Sequence, residues 1–442
     1  MMASPAKRHD DAPSLVLINA RLIDPASNLD EIGGMIIENG IITDIGPKVT
    51  AKHAKDPMEV IDCQGHILAP GLIDMRVFIG EPGLEHRETL ASATQAAAAG
   101  GVTTIVTMPN TDPVIDDVAL VDFIKRRARD TGLVHVHPMA ALTKGLEGLQ
   151  MTEIGLLKEA GAVGFSDGGA TTADTQLLRR TLAYAKQFNA LVSVHAEDPS
   201  LAQDGVMNEG EIATRLGLTG IPDVAETIIV ERDLRLVELT EGQLHFAQLS
   251  TRGAIEAIHA AKLRKSAITC GVSITHLLLN ENDIGSYRTF FKLSPPLRSE
   301  DDRTALIEGL KDGTIDVIVS SHNPQSADTK RHPFAEAAIG AIGLETLLPA
   351  ALSLHHNNDV PLIRILEALT SGPAKILDLE AGTISPGAKA DLVLIDLNSP
   401  WIVNPDDFHS KSKNSPFEDH KLQGRCVRTF IAGRTVYEYA AS

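Results

Sequence analysis

Eight short apolar runs, each followed by an amphipathic helical pattern, occupy the middle of this 442-residue chain. The runs are too apolar to leave one face in water, which is typical of parallel strands that are covered on both faces. Eight strand-then-helix units in a row predict an α/β fold, a closed (β/α)8 barrel of the TIM type. The predicted strands are residues 71–79, 103–109, 134–142, 162–167, 191–197, 243–250, 268–273 and 316–322.

The two ends of the chain have a different texture from the middle. Residues 15–69 and 386–442 are short β-type runs broken by turn residues, and the tripeptide ENG at 38–40 is a hairpin signal. We expect both ends to build one small β-sandwich beside a barrel formed by residues 70–385. Residues 1–14 are polar and lack an apolar segment, so they predict a disordered tail rather than a signal peptide.

Charge and cysteine usage limit the partners and the compartment. The formal net charge of −18 leaves no surplus of Lys and Arg, so we expect no nucleic-acid and no membrane partner. Cys63, Cys270 and Cys426 are odd in number and far apart, which predicts no disulfide framework and fits a reducing, cytoplasmic location. The longest apolar stretch, residues 337–354, contains a Glu and a Pro and predicts a buried helix rather than a membrane span.

Barrel geometry selects the candidate functional residues, because the functional side chains of such barrels lie at the C-terminal ends of the strands. Those ends carry Arg76, Phe78, Asn110, Ala141, Leu142, Asp167, His195, Gln248, Ser273, Ser321 and His322. A His-x-His pair, His135 and His137, begins the third predicted strand. The pair therefore belongs to the opposite end of the barrel, and we expect packed or rim histidines there rather than metal ligands.

Several segments resemble the dihydroorotase branch of the amidohydrolase superfamily. They are PGLIDM, EPG, GGVTTIVTMPNT, GAVGFSDGG, SVHAED, LSTRGAIEA and KLSPPLRSEDDR, in the order of that family over about residues 15–438. The resemblance implies a barrel with a terminal β-sandwich and an activity that hydrolyses or closes a cyclic amide in pyrimidine biosynthesis. In that family one or two zinc ions lower the pKa of a bound water and polarise the carbonyl.

The resemblance also identifies changes at the positions that would hold the metal. The family's His-x-His on strand 1 is Arg76 and Phe78 here, and its strand 6 histidine is Gln248. The strand 4 carboxylate is retained as Asp167 and the strand 5 histidine as His195. A catalytic zinc needs about three protein ligands. We therefore expect no cofactor, and zinc only if the chain is an active enzyme.

Proton transfer and charge are altered at the same end of the barrel. The family's catalytic Asp on strand 8 is Ser321, so no intact catalytic residue is predicted. Arg76 cannot coordinate a metal, because its guanidinium stays protonated. We expect this guanidinium to form a salt bridge with Asp167 in place of the metal.

The positions that would recognise substrate are partly retained. The family's arginine before EPG, which would bind a substrate carboxylate, is Gly80. Four polar residues stand at the other recognition positions and predict a pocket that resembles the substrate site: Asn110, His276, Ser294 and Gln325. Alternatively, Asn110 and His276 only satisfy backbone groups at the ends of loops.

Together these features favour a dihydroorotase-like protein without dihydroorotase chemistry. The resemblance implies a role for it, since degenerate homologues serve as structural partners of aspartate carbamoyltransferase, and it implies a homodimer. A first alternative is an active cyclic-amide hydrolase, metal-dependent or metal-free, built around Asp167, His195 and His276. A second alternative is a small-ligand sensor in which Arg76 binds a carboxylate.

Overall fold

The computed structural model describes residues 12–440, so most of the predicted tail, residues 1–14, lies outside the described residues. The strands are β1 (Leu15–Asp24), β2 (Leu29–Glu38), β3 (Ile41–Gly46), β4 (Glu59–Asp62), β5 (Ile67–Pro70), β6 (Leu72–Val77), β7 (Val102–Thr107), β8 (His135–Ala140), β9 (Gly164–Phe165), β10 (Val192–Val194), β11 (Met207–Asn208), β12 (Gly220–Ile221), β13 (Leu244–Phe246), β14 (Ile268–Ser273), β15 (Val317–Val319), β16 (Leu392–Ile402), β17 (Lys421–Ile431) and β18 (Arg434–Glu438). The helices are α1 (Leu90–Ala99), α2 (Val118–Thr131), α3 (Ile154–Ala160), α4 (Thr175–Lys186), α5 (Pro199–Ala202), α6 (Glu211–Leu216), α7 (Val224–Thr240), α8 (Arg252–Leu263), α9 (Ile274–Leu278), α10 (Glu300–Lys311), α11 (Ala327–Lys330), α12 (Leu347–Asn358), α13 (Leu362–Leu369) and α14 (Ser371–Leu377).

Eight parallel strands form the barrel, in the order β6-β7-β8-β9-β10-β13-β14-β15. Each of them overlaps one of the eight predicted runs, so the predicted (β/α)8 barrel is confirmed. The edge strands β6 and β15 meet at the C-terminal end of the barrel, where the Phe78 N–H donates to the His322 carbonyl at 2.8 Å. A single bridge between Val77 and His322 closes the sheet at this point.

The apolar runs become strands because both of their faces are covered. Every residue of β6 and of β7 is buried. Ile73 of β6, Val106 of β7 and Val317 of β15 pack in one apolar cluster inside the barrel. Leu72 and Ile105 belong to the larger cluster between the strands and the surrounding helices. The side chains therefore alternate between two apolar layers, as expected of a covered parallel sheet.

Strands from both ends of the chain share one sheet, in the order β18-β17-β16-β5-β1-β2-β3, with β4 beside β1. The two ends join where β5 pairs antiparallel with β16, from Ile67 with Ile395 to Pro70 with Leu392. This sheet covers an apolar core of its own, which includes Leu17, Met35 and Phe430. The terminal domain built from both chain ends, which was expected as a β-sandwich, is therefore confirmed as a β-rich domain whose strands share one sheet.

An insertion follows the fifth barrel strand. It consists of α5, β11, α6 and β12, and the short strands β11 and β12 pair with each other. The buried Arg298 fastens this insertion to the barrel, because its Nη1 donates to the Asn208 Oδ1 at 3.0 Å and to the Ile221 carbonyl at 2.7 Å. Nothing in the hydrophobic pattern predicted this element.

The apolar stretch at 337–354 is an entry loop followed by α12, which is buried from Leu347 to Leu354. Across residues 12–440, no helix is long and apolar enough to cross a membrane. Cys63, Cys270 and Cys426 are all buried and unpaired by disulfides, as their spacing predicted.

Candidate functional site

A cavity of about 180 Å³ lies at the C-terminal ends of the barrel strands. Most of the predicted site residues line it: Arg76, Phe78, Asn110, Gln248, His276, Ser294 and Ser321. Asp167, His195 and Gln325 are buried outside this lining. The barrel thus brings together residues that are up to 245 positions apart in sequence, but it separates the two retained metal-ligand positions from the cavity.

Arg76 reaches the cavity through an irregularity in β6. Between Asp74 and Val77, β6 contains one more residue than the paired segment of β7, which is a β-bulge. Arg76 is 3% exposed. Its Nη2 donates to the Gly168 carbonyl at 3.0 Å, its Nη1 is 3.9 Å from the Met108 Sδ, and its Nε has no partner. Burial lowers the pKa of Arg76 to about 10, although Asp74 opposes the shift.

The predicted salt bridge between Arg76 and Asp167 is wrong. The Asp167 Oδ1 accepts the Thr143 N–H at 2.8 Å, and its Oδ2 accepts the hydroxyls of Thr143 at 2.8 Å and Thr172 at 3.3 Å. These neutral donors already satisfy the carboxylate, and Arg76 binds the carbonyl of the next residue, Gly168, instead. Burial still raises the pKa of Asp167, because the donors do not fully offset desolvation.

A second buried carboxylate, Asp74, lies below Arg76 on the same strand. Its Oδ1 accepts the backbone N–H groups of Arg76 at 3.2 Å and Ser320 at 3.3 Å, and its Oδ2 has no partner. Burial raises the pKa of Asp74 to about 6. Asp74 therefore ties β6 to the end of β15 at a cost in desolvation.

His195 and Gln248 both support the segment at Ser294. The His195 Nε2 is 3.3 Å from the Ser294 Oγ and 3.9 Å from the Glu197 Oε1, while its Nδ1 is buried without a partner. Gln248 donates from its Nε2 to the Ser294 carbonyl, and its Oε1 has no partner. One nitrogen of His195 thus has no hydrogen-bond partner among the described residues.

His276 serves both of the roles that the sequence left open. It lines the cavity, and its Nε2 lies 3.1 Å and 3.2 Å from the carbonyls of Pro295 and Pro296. Burial lowers the pKa of His276 to about 4, so the imidazole is neutral at pH 7 and its Nε2–H is the donor. Asn110 is exposed at the rim of the same cavity.

The end of the eighth barrel strand is strained at the position of the family's catalytic Asp. Ser321 has a φ of 52°, which is uncommon for a residue with a side chain and is often found at functional sites. Gln325 turns away from the cavity, since its N–H donates to the Asn414 Oδ1 at 3.3 Å and its Nε2 to the Asn323 Oδ1 at 2.9 Å. Gln325 therefore shapes the loop rather than the cavity wall.

Known proteins with similar sequences agree with this architecture. Residues 65–254 match the family model described as Dihydro-orotase-like, and residues 255–437 match the Amidohydrolase family. A dihydroorotase from Pelobacter propionicus is 44% identical over 424 residues, covering 96% of this chain and 99% of the relative. The chain belongs to the dihydroorotase family. A second dihydroorotase, from Anaplasma phagocytophilum, is 42% identical over 427 residues, covering 96% of this chain and 95% of the relative.

Solved structures extend the likeness to the fold. The L-hydantoinase (dihydropyrimidinase) from Arthrobacter aurescens superposes with a TM-score of 0.86 at 25% identity, covering 96% of each chain. A dihydropyrimidinase from Brevibacillus agri superposes with a TM-score of 0.82 at 21% identity, covering 96% of this chain and 95% of that one. The dihydroorotase family and these enzymes thus share the barrel with its terminal β-rich domain.

We call the cavity at the C-terminal ends of the barrel strands the barrel mouth. The donor groups that line it do not fit the zinc that the dihydroorotase family implies. Within residues 12–440, no group of three or more His, Cys, Asp or Glu side chains could hold a metal ion. Asp167 is already bonded to Thr143 and Thr172, and Arg76 lines the cavity, where its positive charge would repel a cation. Guanidinium, amide, hydroxyl and neutral imidazole groups are suited to anions and amides rather than to a dication.

Sequence reasoning missed three contributors to this site. Thr143 and Thr172 saturate Asp167, and Asp74 anchors β6 to Ser320. Thr143 follows the third predicted strand by one residue, and this position was a signal that barrel geometry could have used. Asp74 had no such signal, because it lies inside an apolar run.

Proposed function

We propose that this chain acts in pyrimidine metabolism at the dihydroorotase step, and that its barrel mouth binds a cyclic amide of the dihydroorotate type. The observation that carries the proposal is a cavity that most of the predicted site residues line, many of them polar, although the metal positions of the family have changed. Relatives named dihydroorotase, 44% and 42% identical over nearly the whole chain, supply the ligand class.

The size and lining of the cavity support a single-ring ligand. Its volume of about 180 Å³ is below the roughly 300–1,000 Å³ of sites that hold drug-sized molecules. Amide and hydroxyl groups of Asn110, Ser294 and Asn323 can pair with ring N–H and C=O groups, and Phe78 and Leu293 provide apolar surface. This combination suits a small heterocycle with polar edges.

Hydrolysis of the bound amide is the first candidate activity, and the dihydroorotase relatives favour it. Ring opening adds water to the carbonyl carbon, breaks the C–N bond and transfers a proton to the leaving nitrogen. His195 is an imidazole with an unbonded nitrogen, one contact behind Ser294, which lines the cavity. Asp167 is a poorer base, because three hydrogen bonds already occupy its oxygens.

A non-catalytic role is the second candidate, and the donor set favours it. In that role the chain is the structural partner of an aspartate carbamoyltransferase, and the cyclic amide is a bound ligand rather than a turned-over substrate. Gln248 in place of an imidazole, and a guanidinium in the mouth, argue for this arrangement.

Activity and binding measurements separate the two candidates. The purified chain is assayed in both directions with dihydroorotate and N-carbamoyl-aspartate, with added zinc and with a chelator, and calorimetry measures dihydroorotate binding. Turnover that is lost in His195→Gln but kept in the control His332→Gln, an exposed histidine, supports hydrolysis. Binding without turnover, together with co-elution with the organism's aspartate carbamoyltransferase, supports the second candidate. Neither binding nor turnover would overturn the proposed function.

A further inference from the structure

The buried guanidinium of Arg76 has far fewer partners than its chemistry requires. It carries five N–H donors, yet its single hydrogen bond to oxygen is the 3.0 Å contact with the Gly168 carbonyl. Its Nε has no partner, and its Cζ lies 5.1 Å from the centre of the Phe78 ring. A buried cation is costly unless an anion accompanies it. The free donors therefore suit an anionic group in the cavity.

The charges around the cavity restrict that anion to a single negative charge. Of the described residues that line the cavity, Arg76 is the one whose side chain is charged at pH 7. His276 is neutral there, because burial lowers its pKa to about 4. Asp74 lies outside the lining and its negative charge already acts on Arg76. Asp74 does not fully compensate the buried cation, because the pKa of Arg76 stays lowered in spite of it. The mouth can therefore hold one carboxylate and has no second cation among its described lining residues.

We propose that Arg76 is the carboxylate anchor of this mouth, and that the mouth selects a cyclic amide with one carboxylate over the open-chain form with two. This inference rests on the proposed function and names the charge state of its ligand. A carboxylate on the ring accepts hydrogen bonds from the guanidinium N–H groups of Arg76 that have no partner oxygen, since among the described residues only Nη2 has one, the Gly168 carbonyl.

The selectivity follows from the charge balance of ring opening. Water adds to the ring carbonyl and the C–N bond breaks. One proton of the water passes to the nitrogen, which leaves as a neutral NH2 group, and the other is released to solvent as the carbonyl carbon becomes a second carboxylate. The open-chain form is therefore a dianion. Its second carboxylate would be desolvated among neutral side chains such as Ser294 and Asn323, and this weakens binding by roughly 100-fold or more.

The position before EPG, where the family resemblance would place the anchor, cannot supply one here. Gly80 has a φ of +89°, and a Cβ at this position would lie 3.0 Å from the Leu84 Cβ. A side chain there would meet both backbone strain and a close contact. Arg76 therefore provides the carboxylate anchor from the strand itself.

Calorimetry with four probes at pH 7 in the presence of a chelator tests the anchor. The probes are dihydroorotate, N-carbamoyl-aspartate, uncharged dihydrouracil, and tetrahydrofuran-2-carboxylate, a ring carboxylate without an amide. We expect dihydroorotate to bind roughly 100-fold more tightly than N-carbamoyl-aspartate and than dihydrouracil. Equal or tighter binding of N-carbamoyl-aspartate would overturn the selectivity.

Substitutions locate the effect at the guanidinium. Arg76→Met should reduce dihydroorotate affinity to that of dihydrouracil, and leave dihydrouracil affinity within about threefold. Arg76→Lys keeps the charge without the planar fork and should retain part of the affinity. The control is Arg126→Met, an exposed arginine whose Nε donates to the Asp122 carbonyl. Circular dichroism confirms that each variant is folded, and unchanged dihydroorotate affinity in folded Arg76→Met and Arg76→Lys would overturn the anchor.

The same probes separate this inference from the proposed function. Equal binding of dihydroorotate and dihydrouracil keeps the cyclic-amide function and refutes the anchor. Arg76-dependent binding of tetrahydrofuran-2-carboxylate without binding of either cyclic amide keeps the anchor and refutes the function. Binding of none of the probes refutes both.

Discussion

Lys330 should make the stability of this protein rise as the pH increases above neutrality. It is 5% exposed, and its Nζ donates to the carbonyls of Thr289 at 3.0 Å and Ala338 at 2.6 Å. Burial, with a smaller effect of the Lys292 ammonium, lowers the pKa of Lys330 from 10.5 to about 7. Two carbonyls satisfy the two N–H groups of a neutral amine, but none of the described carboxylates offsets the charge of an ammonium at this position.

The pKa shift gives the size and sign of the effect. Because the folded-state pKa lies below the unfolded-state pKa, the unfolded chain binds more protons between about pH 7 and 10.5, and stability rises across that window. At about 1.4 kcal/mol per pKa unit, keeping Lys330 in the folded state at pH 7 costs about 4 kcal/mol. Its two hydrogen bonds return about 1 kcal/mol each.

Lys330→Met should therefore change the sign of its effect with pH. At pH 7 the variant should be about 2 kcal/mol more stable than the natural chain, because it removes a charge penalty larger than the lost hydrogen bonds. Near pH 10 the penalty has almost disappeared, and the variant should be about 1 kcal/mol less stable. Urea unfolding followed by circular dichroism at several pH values measures both differences.

The control is Lys48→Met, an exposed lysine in the terminal sheet domain, which should change stability by less than about 0.5 kcal/mol at every pH. Fluorescence of the single tryptophan, Trp401, would report on β16 and not on the barrel, so circular dichroism is the better probe. A natural chain whose stability is flat from pH 7 to pH 10, or a Lys330→Met variant with a parallel pH profile, would refute the reasoning.

Three further predictions concern the mouth itself. A triple variant with Arg76→His, Phe78→His and Gln248→His should bind zinc that remains after dialysis, as measured by elemental analysis. Three imidazoles would then replace the repelling guanidinium with metal ligands. A triple variant without bound metal would contradict the ligand count. A carboxyl whose pKa is raised to about 6 in the folded state stabilises the fold at acid pH and loses that contribution as the pH rises. Asp74→Asn should therefore remove a fall of about 3 kcal/mol in the free energy of unfolding between about pH 4 and pH 6, measured by thermal unfolding. An unchanged slope in the variant would count against this prediction. Gly80→Ala should lower stability by about 1–2 kcal/mol in urea, because the backbone there is left-handed, and a neutral effect would show that the turn relaxes.

The barrel could be predicted because its strands are covered on both faces. The run at 316–322, for example, gave β15 from apolarity alone, and β15 lies where the order of the runs predicted it. The location of Arg76 in the mouth could also be predicted, because this residue lies near the C-terminal end of a predicted barrel strand. These inferences depend on local pattern and on barrel geometry, which the sequence carries directly.

The partners of the polar groups could not be predicted in the same way. Asp167 was expected to meet Arg76 because both stand at family ligand positions, but Thr143 and Thr172 reach the carboxylate first. Threonines are common, and nothing in the sequence marks which of them will donate to a buried acid. The β-bulge at Asp74 and the burial of Lys330 similarly depend on how distant segments pack, which no local pattern reveals.

The pairing of β5 with β16 has a consequence for the way this protein is made. These strands are separated by more than three hundred residues, so the terminal sheet cannot close until the ribosome has released the strands near residue 400. Until then β5 presents an open edge, and Leu17 and Met35 of the terminal core lack Phe430. A chain that ends before β16 would keep all eight barrel strands but would expose the unpaired edge of β5. Such an edge can pair with other chains, so we expect chaperones and proteases to act on the truncated protein.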